Sequence, residues 1–516
     1  MEKNEQYEIT IEDLSNEGAG IGHIETEDGG LFAVFVKDAV PGDRCRVQLT
    51  KVKERFAYAR LIELIEPGED RVTPLCKNAA RCGGCTMMQL SYEAQLRLKL
   101  KKVSNCLVRL GGLPAETLAE VLKPVCGMER PFYYRNKMQL PIGADKNGKV
   151  NVGFFAGRTH SIIDIDRCPI GHPVCDYIIR SVKQVLQALY DGDKRVVYNE
   201  ELHEGLFRHM LIRVGFHTGE VMVCFVINGT LRDVGASTRR LLIAATLAAV
   251  DEYNAAKQLY EKMRDSVIAN SETISGSGPE AETDPFTTDG AAPDMRLASV
   301  VLNYNTEKTN RIMGDRSDTV YGADAITDTI GDNAFEISPV SFYQVNPYQT
   351  ERLYEKVAEL AQLEQHETVW DLYCGIGTIS LTLAKRAGHV YGVEIVPQAV
   401  EDAKRNAERN GIDNAEFFCG KAEDVVTEFY EKGAAGAHAD CVVVDPPRKG
   451  CDQKLIETML AMSPARIVYV SCDPATLARD LKLLTGGGYR VCHVQPYDQF
   501  CHSMHVENVV LLVKES

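Results

Sequence analysis

A regular alternation of strand-like and helical segments, which begins near residue 345, restricts the fold more than any other feature of the sequence. The candidate strands are rich in β-branched and aromatic residues, and they read ETVWDLY, HVYGVEI, AEFFCG, ADCVVVD, RIVYVSC, YRVCHVQ and VENVVLLV. Helical stretches such as TISLTLAKRA separate the early strands. This alternation predicts a mostly parallel, doubly wound sheet. We therefore predict an α/β fold for residues 345–516.

Two further domains are predicted upstream. Residues 1–66 contain five short alternating strands separated by turns, which suit an OB-like β-barrel, although other small β modules share this pattern. Residues 67–344 mix strand-like runs with helices and predict an α+β central domain. Within it, residues 265–294 are rich in Ser, Gly, Pro, Thr and acidic residues, so we predict a disordered acidic insertion there.

The net charge of −16 argues at first against a nucleic-acid binder. However, residues 265–294 carry seven acidic and no basic residues, so this one segment supplies almost half of the net charge. Phosphate binding depends on local basic surfaces, so the charge neither proves nor excludes RNA as a partner. No apolar run approaches the roughly 18 residues that span a membrane. We expect a cytoplasmic, monomeric protein without membrane contacts.

The turn after the first strand of the α/β domain is typical of a ligand site. It reads CGIGT, and Gly375 and Gly377 allow the backbone to approach a ligand closely. Asp371 lies at the end of that strand, where open α/β sheets bind ligands. Glu394 ends the next strand, where its carboxylate can accept hydrogen bonds from ribose hydroxyls.

The sequence of this turn also bears on the identity of the ligand. A dinucleotide site prefers G-x-G-x-x-G, but Ser380 occupies the third glycine position. S-adenosylmethionine has no pyrophosphate to cradle, so it fits the turn better than a dinucleotide. After the third strand, Glu423 or Asp424 is placed to meet the adenine amine.

The loops after the fourth and fifth strands carry groups suited to chemistry. The fourth strand ends in Asp445-Pro446-Pro447-Arg448. Methyltransferases that act on exocyclic amines have a similar motif, but an aromatic residue occupies the position of Arg448, which points away from methylation of an amino group. The fifth strand ends in Ser471-Cys472-Asp473-Pro474. Both loops leave the sheet at the same edge as the glycine turn. Cys472 and Asp445 should therefore face the cofactor's methyl group.

A cysteine at this position has a definite use in uracil methylation. Uracil C5 is a poor nucleophile, but addition of a thiolate at C6 gives C5 carbanion character, so that C5 can attack a sulfonium methyl group. A base must then remove the C5 proton, and Glu507 at the start of the last strand is the candidate. A lone Cys472 would be read as a buried structural thiol. The expected nearness of Asp445 and Glu507 favours a nucleophile instead.

Five motifs together resemble those of the RNA uracil-C5 methyltransferases, specifically the 23S rRNA branch, and the N-terminal barrel looks like a TRAM domain. The motifs are ISPVSFYQVNPYQ, DLYCGIGTIS, DPPRKG, SCDPATLARD and HVENVVLL. The resemblance covers almost the whole chain and implies a Rossmann-like, S-adenosylmethionine-dependent catalytic domain. It implies Cys472 as the nucleophile, Glu507 as the base and Asp445 as a hydrogen-bond partner of the target uracil.

The resemblance also assigns the lining of the pocket. It implies that Phe342 and Gln344 position the uracil. The residues that it places around the cofactor are Gln344, Tyr373, Glu394 and Asp445. Family members usually read FPHT-x-H-V-E before the final strand, and here Cys501 replaces the proline while the glutamate is kept.

Sixteen cysteines in a chain expected to be cytoplasmic favour metal or catalytic roles over disulfides. Cys76, Cys82 and Cys85 have the spacing C-x5-C-x2-C, and Cys168 lies far downstream. Four thiolates can hold zinc or an iron–sulfur cluster, and the spacing does not choose between them. The family resemblance implies a [4Fe–4S] cluster on these four residues, with Cys175 as a less favoured substitute. We hypothesise that the cluster has a structural or RNA-positioning role.

The expected RNA contacts lie on the barrel and on the following helix. An OB-like barrel suits single-stranded or looped RNA. The basic residues predicted to contact phosphates, which could also form a plain solvated face, are Lys51, Lys53, Arg55 and Arg60 and those of the LRLKLKK helix.

The expected function is that of a 23S rRNA uracil-C5 methyltransferase. A tRNA uracil-C5 methyltransferase is an alternative, which we disfavour because that branch typically lacks both the barrel and the cysteine cluster. A non-catalytic iron–sulfur RNA-binding protein is the third reading, and the presence of Cys472, Glu507 and Asp445 weighs against it.

Overall fold

The N-terminal strands close into a five-stranded barrel. The structure is a computed structural model, and it describes residues 1–27, 29–157, 159–270, 293–432 and 438–515. The strands of the barrel are β1 Gln6–Leu14, β2 Gly20–Glu25, β3 Leu31–Lys37, β4 Arg44–Val52 and β5 Phe56–Glu66, and they pair in the order β1-β2-β3-β5-β4. Alternate side chains point inward, so that Cys45, Val47 and Leu49 of β4 are fully buried. The predicted barrel is confirmed.

Two helices follow the barrel, α1 (Tyr92–Arg109) and α2 (Ala115–Val121). Helix α1 begins at Ser91, whose hydroxyl accepts a hydrogen bond from the amide of Ala94 at 3.3 Å. Buried apolar side chains of α1, such as Val103, share one core with the C-terminal sheet and its helices. Helix α1 is therefore packed on the C-terminal sheet, although it precedes the central sheet in the chain.

The central sheet has seven strands. They are β6 Lys137–Ala144, β7 Val150–Phe155, β8 Ile162–Asp164, β9 Phe207–Val214, β10 Glu220–Ile227, β11 Arg296–Tyr304 and β12 Arg316–Gly322. Their order is β12-β11-β10-β9-β6-β7-β8, and only β10 and β11 pair in parallel. The associated helices are α3 Val174–Gly192, α4 Leu231–Val234 and α5 Ala236–Asn270. This arrangement confirms the predicted mixture of strands and helices.

The segment predicted to be a disordered insertion, residues 265–294, is only partly described. Residues 265–270 are the end of α5, so this part of the prediction is wrong. Residues 271–292 lie outside the described residues. A hairpin that the sequence analysis did not identify, β13 Ile326–Ile330 and β14 Asn333–Ile337, leads into the C-terminal sheet.

The C-terminal sheet is the predicted doubly wound sheet. Its strands are β15 Thr368–Leu372, β16 His389–Glu394, β17 Ala415–Cys419, β18 Cys441–Val444, β19 Arg466–Ser471, β20 Tyr489–Tyr497 and β21 Glu507–Lys514. The order is β17-β16-β15-β18-β19-β21-β20, with β15 to β19 parallel and β21 antiparallel to both of its neighbours, β19 and β20. The strand order reverses beside β15, which is where such sheets bind ligands.

Six helices accompany this sheet among the described residues. They are α6 Pro347–Ala361, α7 Thr378–Ala384, α8 Pro397–Arg409, α9 Ala422–Lys432, α10 Gln453–Met462 and α11 Pro474–Gly486. The parallel strands between them are continuous apolar runs, and β18 is fully buried along its length. No helix in the described part of the chain has the length and hydropathy to cross a membrane. The domain limits at residues 66 and 344 stay predictions.

Candidate active site

The turn after β15 has the geometry of a ligand cradle. Tyr373, Gly375 and Gly377 all have left-handed backbone conformations, with φ of 70°, 56° and 83°. A Cβ atom added to Gly375 would meet no atom within 4 Å, so the backbone there faces open space. At Gly377 an added Cβ would lie 3.3 Å from Phe417, so glycine is also required for close packing.

Two carboxylates flank this turn. Glu394 accepts hydrogen bonds from the amides of Gly375 at 3.2 Å and Val396 at 2.8 Å, which fixes it beside the glycines. Asp371 is fully buried, and Ser380 donates to its Oδ2, whereas Oδ1 has no partner among the described residues. Burial, together with the charges of Asp445 and Glu394, raises the pKa of Asp371 to about 7.

The predicted contact with the adenine amine lies at the start of α9. Of the two candidate residues, Asp424 pairs with Lys454 at 2.6 Å on the surface. Glu423 is half-buried and lies close enough to Tyr373 for its charge to raise the pKa of that phenol. Glu423 is therefore the better placed of the two. The glycine turn, Glu394 and Asp371 together fit a cofactor with ribose hydroxyls and no pyrophosphate.

The sheet brings Cys472, Asp445 and Glu507 to this same edge. Asp445 follows β18, and its amide donates to the carbonyl of Leu372 at 3.3 Å. Cys472 follows β19, and Glu507 is the first residue of β21, which runs antiparallel to β19 and so begins at the same edge. The buried side chain of Asn508 ties the two strands together because it donates to the carbonyl of Ser471 at 3.2 Å.

The ionisable groups of these three residues influence one another. Burial and, to a smaller extent, the charges of Glu507 and Asp445 raise the pKa of Cys472 to about 11, whereas Arg448 opposes this rise. Burial and the charge of Asp445 raise the pKa of Glu507 to about 8, again opposed by Arg448. Burial raises the pKa of Asp445 to about 6. Perturbed carboxyl groups gathered beside a thiol are typical of active sites.

Of the two residues predicted to position a base, Gln344 lies near this group, since it and Asp445 both act on the hydroxyl of Tyr354. Phe342 is 68% exposed, so its ring is available for stacking. Gln344 is half-buried, its carbonyl accepts from Asn136 at 2.8 Å, and its side-chain oxygen lies 3.5 Å from Nε2 of buried Gln499.

Comparison with known proteins identifies the family. Residues 329–515 match the family described as tRNA (uracil-5-)-methyltransferase, and residues 2–62 match the TRAM domain. An uncharacterised RNA methyltransferase of Halalkalibacterium halodurans is 42% identical over 99% of this chain and 98% of its own length. One of Clostridium tetani is 40% identical over 99% and 97%. This chain belongs to the RNA (uracil-5-)-methyltransferase family.

The methyltransferase also resembles a solved structure along its whole length. The Pyrococcus abyssi tRNA (uracil-54, C5)-methyltransferase, in complex with S-adenosyl-L-homocysteine, matches with a TM-score of 0.68 and 28% identity, over 98% of this chain and 100% of that one. The fold predicted from the sequence and the S-adenosylmethionine dependence of the enzyme are thereby established, with RNA as its substrate.

The four cysteines that the resemblance assigns to a cluster lie near one another in the methyltransferase. Cys76, Cys82 and Cys85 are half-buried and Cys168 is buried. Burial raises the pKa of Cys85, and the charges of the three other thiols raise it further. A set of four thiols in mutual electrostatic contact fits an iron–sulfur or zinc site chemically. The described residues nevertheless contain no group of three or more side chains arranged as metal ligands.

The basic residues of the methyltransferase divide into two groups. Those on the barrel are exposed, as phosphate contacts require, and they are Lys51, Lys53, Arg55 and Arg60. The prediction that the LRLKLKK helix contacts phosphates, in contrast, is wrong for part of the helix. Lys99 is fully buried in an ion pair with Asp498, and half-buried Lys102 donates to the carbonyl of Met504 at 2.9 Å. Both lysines hold protein segments together, and the complete burial of Lys99 shows that the prediction of a phosphate contact is wrong for that residue.

Two further residues of the site were not identified from the sequence. The sequence distinguishes Arg448 only as the residue in place of an aromatic one, yet its positive charge acts on both Cys472 and Glu507. Asn508 was not noted, although it follows Glu507 directly and bonds across to the Cys472 segment. Its polar side chain inside an otherwise apolar strand, ENVVLLV, was the available signal.

Proposed function

We propose that the enzyme methylates C5 of a uridine in 23S rRNA to give 5-methyluridine, with Cys472 as a covalent nucleophile and Glu507 as the base. The observation that carries the proposal is the convergence of Cys472, Asp445 and Glu507 beside the glycine turn. A thiol and a carboxyl group beside one methyl-acceptor site are what methylation of uracil C5 requires.

The reaction begins when the thiolate of Cys472 adds to C6 of the uracil, which places an electron pair at C5 as an enolate. Bound S-adenosylmethionine would supply an electrophilic methyl group, so the electron pair at C5 would form the new C–C bond as the S–CH3 bond breaks and S-adenosyl-L-homocysteine leaves. Glu507 removes the C5 proton, the C5–C6 double bond forms again, and the sulfur of Cys472 leaves with the electron pair of the C6–S bond. The positive charge of Arg448 favours the thiolate, because it lowers the pKa of Cys472.

The remaining site residues bind and orient the reactants. Asp445 hydrogen-bonds the uracil ring, and Phe342 and Gln344 position it after it has been extruded from the RNA, which costs a few kcal/mol of stacking. The residues proposed to line the cofactor pocket are Gln344, Asp371, Tyr373, Gly375, Gly377, Glu394 and Asp445. The fixed carboxylate of Glu394 supports a role in binding ribose hydroxyls.

Cys76, Cys82, Cys85 and Cys168 are proposed to hold a [4Fe–4S] cluster. The mutual influence of their thiols supports a shared site. The chemistry above transfers no electrons, so a structural role fits best. We expect Cys82→Ser to abolish bound iron and sulfide after anaerobic purification and to lower the melting temperature, whereas Cys419→Ser, at an exposed thiol, should change neither. Zinc in place of iron, or an unchanged metal content in Cys82→Ser, would contradict the assignment.

A tRNA substrate is the second candidate. The structural match to a tRNA (uracil-54, C5)-methyltransferase covers 98% of this chain and therefore includes the barrel. The barrel thus gives no ground for excluding tRNA, although the motifs resemble the 23S rRNA branch. Incubating the enzyme and a labelled cofactor with equal amounts of 23S rRNA fragments and tRNA decides between them. Labelling of tRNA alone would replace the rRNA proposal.

RNA that carries 5-fluorouracil tests the mechanism. Fluorine at C5 does not leave as a proton, so the methylated covalent complex should persist in wild-type enzyme. We expect Cys472→Ala to lower complex formation and methylation by at least about 10³-fold, while the control Cys419→Ala traps normally. Equal trapping by Cys472→Ala would overturn the covalent mechanism.

A further inference from the structure

The segment that leads into Glu507 is held in place from outside the sheet. We call residues 498–506 the base loop, since they connect β20 to β21. Although it is a connection at the edge of a sheet, most of its side chains are buried, with Asp498 0%, Gln499 1% and His502 3% exposed. Connecting segments normally lie on the surface because their polar groups need water. The base loop therefore needs protein partners for its polar groups.

Helix α1 supplies the partners of Asp498. Lys99 donates to Oδ1 of Asp498, and it also donates to the carbonyl of Phe500 at 3.1 Å. Tyr92 donates its hydroxyl to Oδ2 of Asp498 at 2.7 Å. The side chains of Lys99 and Asp498 are both completely buried, and the two residues are 399 positions apart in the chain.

The middle of the base loop is fixed by the same part of the chain. His502 has a left-handed backbone, with φ of 64°, which is strained for a residue that is not glycine. Its amide donates to Gln95 at 3.1 Å, and its ring nitrogen Nε2 lies 3.0 Å from the carbonyl of Pro131. Its carbonyl accepts from the amides of Thr86 and Met87 at 2.9 and 3.0 Å.

Burying these polar and charged groups costs more desolvation free energy than burying a loop of apolar side chains would. A buried ion pair contributes little net stability, because both charges lose their hydration, and its best-attested use is to select one arrangement of the chain. The arrangement selected here sets the entry of the chain into β21, whose first residue is Glu507. The base loop therefore determines the position of the carboxyl group of Glu507.

We infer that Lys99 and Asp498 are positioning residues for Glu507, so that helix α1 completes the active site from outside the catalytic sheet. The inference rests on the proposed function, in which Glu507 removes the C5 proton. A small displacement of a reacting group costs on the order of 100-fold in rate. The step that should suffer is proton removal, while thiolate addition and methyl transfer, which depend on Cys472, should be spared.

The test separates these steps in the full-length enzyme. Lys99→Met alone leaves Asp498 charged and unpaired in the interior, so the double variant Lys99→Met/Asp498→Asn is used as well. Tyr92→Phe, which removes one hydrogen bond and no charge, provides a milder third variant. The control is Lys404→Met/Glu401→Gln, which removes an ion pair that is exposed on α8, 52% and 60% at its two side chains. Thermal melts establish that each variant is folded.

Two readouts are compared for each variant. One is trapping of 5-fluorouracil RNA, which requires no proton removal, and the other is release of methylated product from ordinary RNA in a single turnover. We expect the double variant to trap within about threefold of wild type but to release product about 10- to 100-fold more slowly, with labelled methyl accumulating in a covalent protein–RNA complex. Tyr92→Phe should show the same pattern with a smaller effect, so that product release is about fivefold slower than in wild type.

Three results would overturn the inference or its basis. Product release at the wild-type rate from folded variants shows that the base loop does not position Glu507. An equal loss of trapping and release shows that the contacts are merely structural. If the wild-type enzyme itself traps no fluorouracil RNA, the proposed function fails, and the inference falls with it. The control variant should match wild type in both readouts.

Discussion

Cys472 and Glu507 lie at one edge of the same sheet, but the segments that hold them differ in origin. The Cys472 segment is fixed locally, since Asp473 caps α11 by accepting from the amide of Ala475 at 2.8 Å, and its own amide donates to Ser471 at 3.2 Å. The base loop before Glu507 is fixed by groups from residues 86–131, far earlier in the chain. The nucleophile is thus built into the catalytic sheet, whereas the base depends on helix α1.

The difference indicates how the nucleophile and the base are each held in position. The Cys472 segment is held by the turn of its own loop, by the helix that follows it and by Asn508 of the neighbouring strand, all within the catalytic domain. A base on an antiparallel strand, after a nine-residue connection, needs external contacts to keep one geometry. Changes at Cys472 and at Glu507 should therefore have separable kinetic effects.

The largest expected effect comes from Glu507→Gln, which keeps the shape of the side chain and removes the base. Turnover should fall about 10²- to 10⁴-fold, while the methylated covalent complex on ordinary RNA accumulates. Electrophoresis after a denaturing quench measures this complex directly. Glu416→Gln, at an exposed carboxylate on β17, serves as the matched control. A variant that never forms the complex would show that Glu507 acts before methyl transfer.

The pH dependence of the two readouts should distinguish Glu507 from Cys472, and the changes in rate should be smaller than that caused by Glu507→Gln. Glu507 is active as a carboxylate and its pKa is raised to about 8, so resolution of a preformed complex should become faster with pH, about tenfold per unit below pH 8, and level off above it. Trapping requires the Cys472 thiolate, whose pKa is raised to about 11, and should continue to rise beyond pH 9. Parallel pH profiles for both readouts would contradict this assignment.

The smallest expected effect is that of Arg448→Gln. The guanidinium lowers the pKa of both Cys472 and Glu507, so both the trapping rate and the resolution rate at pH 7 should fall, by about threefold because the arginine is exposed and screened. The loss should shrink at high salt, where wild type loses the same benefit. Arg386→Gln, at an exposed arginine between α7 and the start of β16, at the opposite edge of the sheet, should leave both rates unchanged.

The sequence was informative wherever local pattern determines structure. The alternating runs of β15 to β21 predicted the sheet, and the parallel strand ends predicted that Asp445 and Cys472 would meet at its edge. The five strands of the barrel were likewise readable from their alternation and turns.

The contacts of helix α1 could not be predicted in the same way. A run of lysines on a helix is normally a solvated face, and the burial of Lys99 depends on Asp498, which is 399 residues away. The influence of Arg448 on two acidic groups also requires the folded arrangement of separate loops. Such long-range pairs have no periodicity by which a single sequence can reveal them.

The most direct test of the central claim is to identify the atom that joins enzyme and RNA. The complex formed with 5-fluorouracil RNA and S-adenosylmethionine is digested with protease and nuclease, and the modified peptide is sequenced by mass spectrometry. We expect a methylated fluorouridine nucleotide attached to Cys472 and to no other cysteine. Attachment to a different residue, or methyl transfer to fluorouracil RNA without any covalent link, would contradict the account.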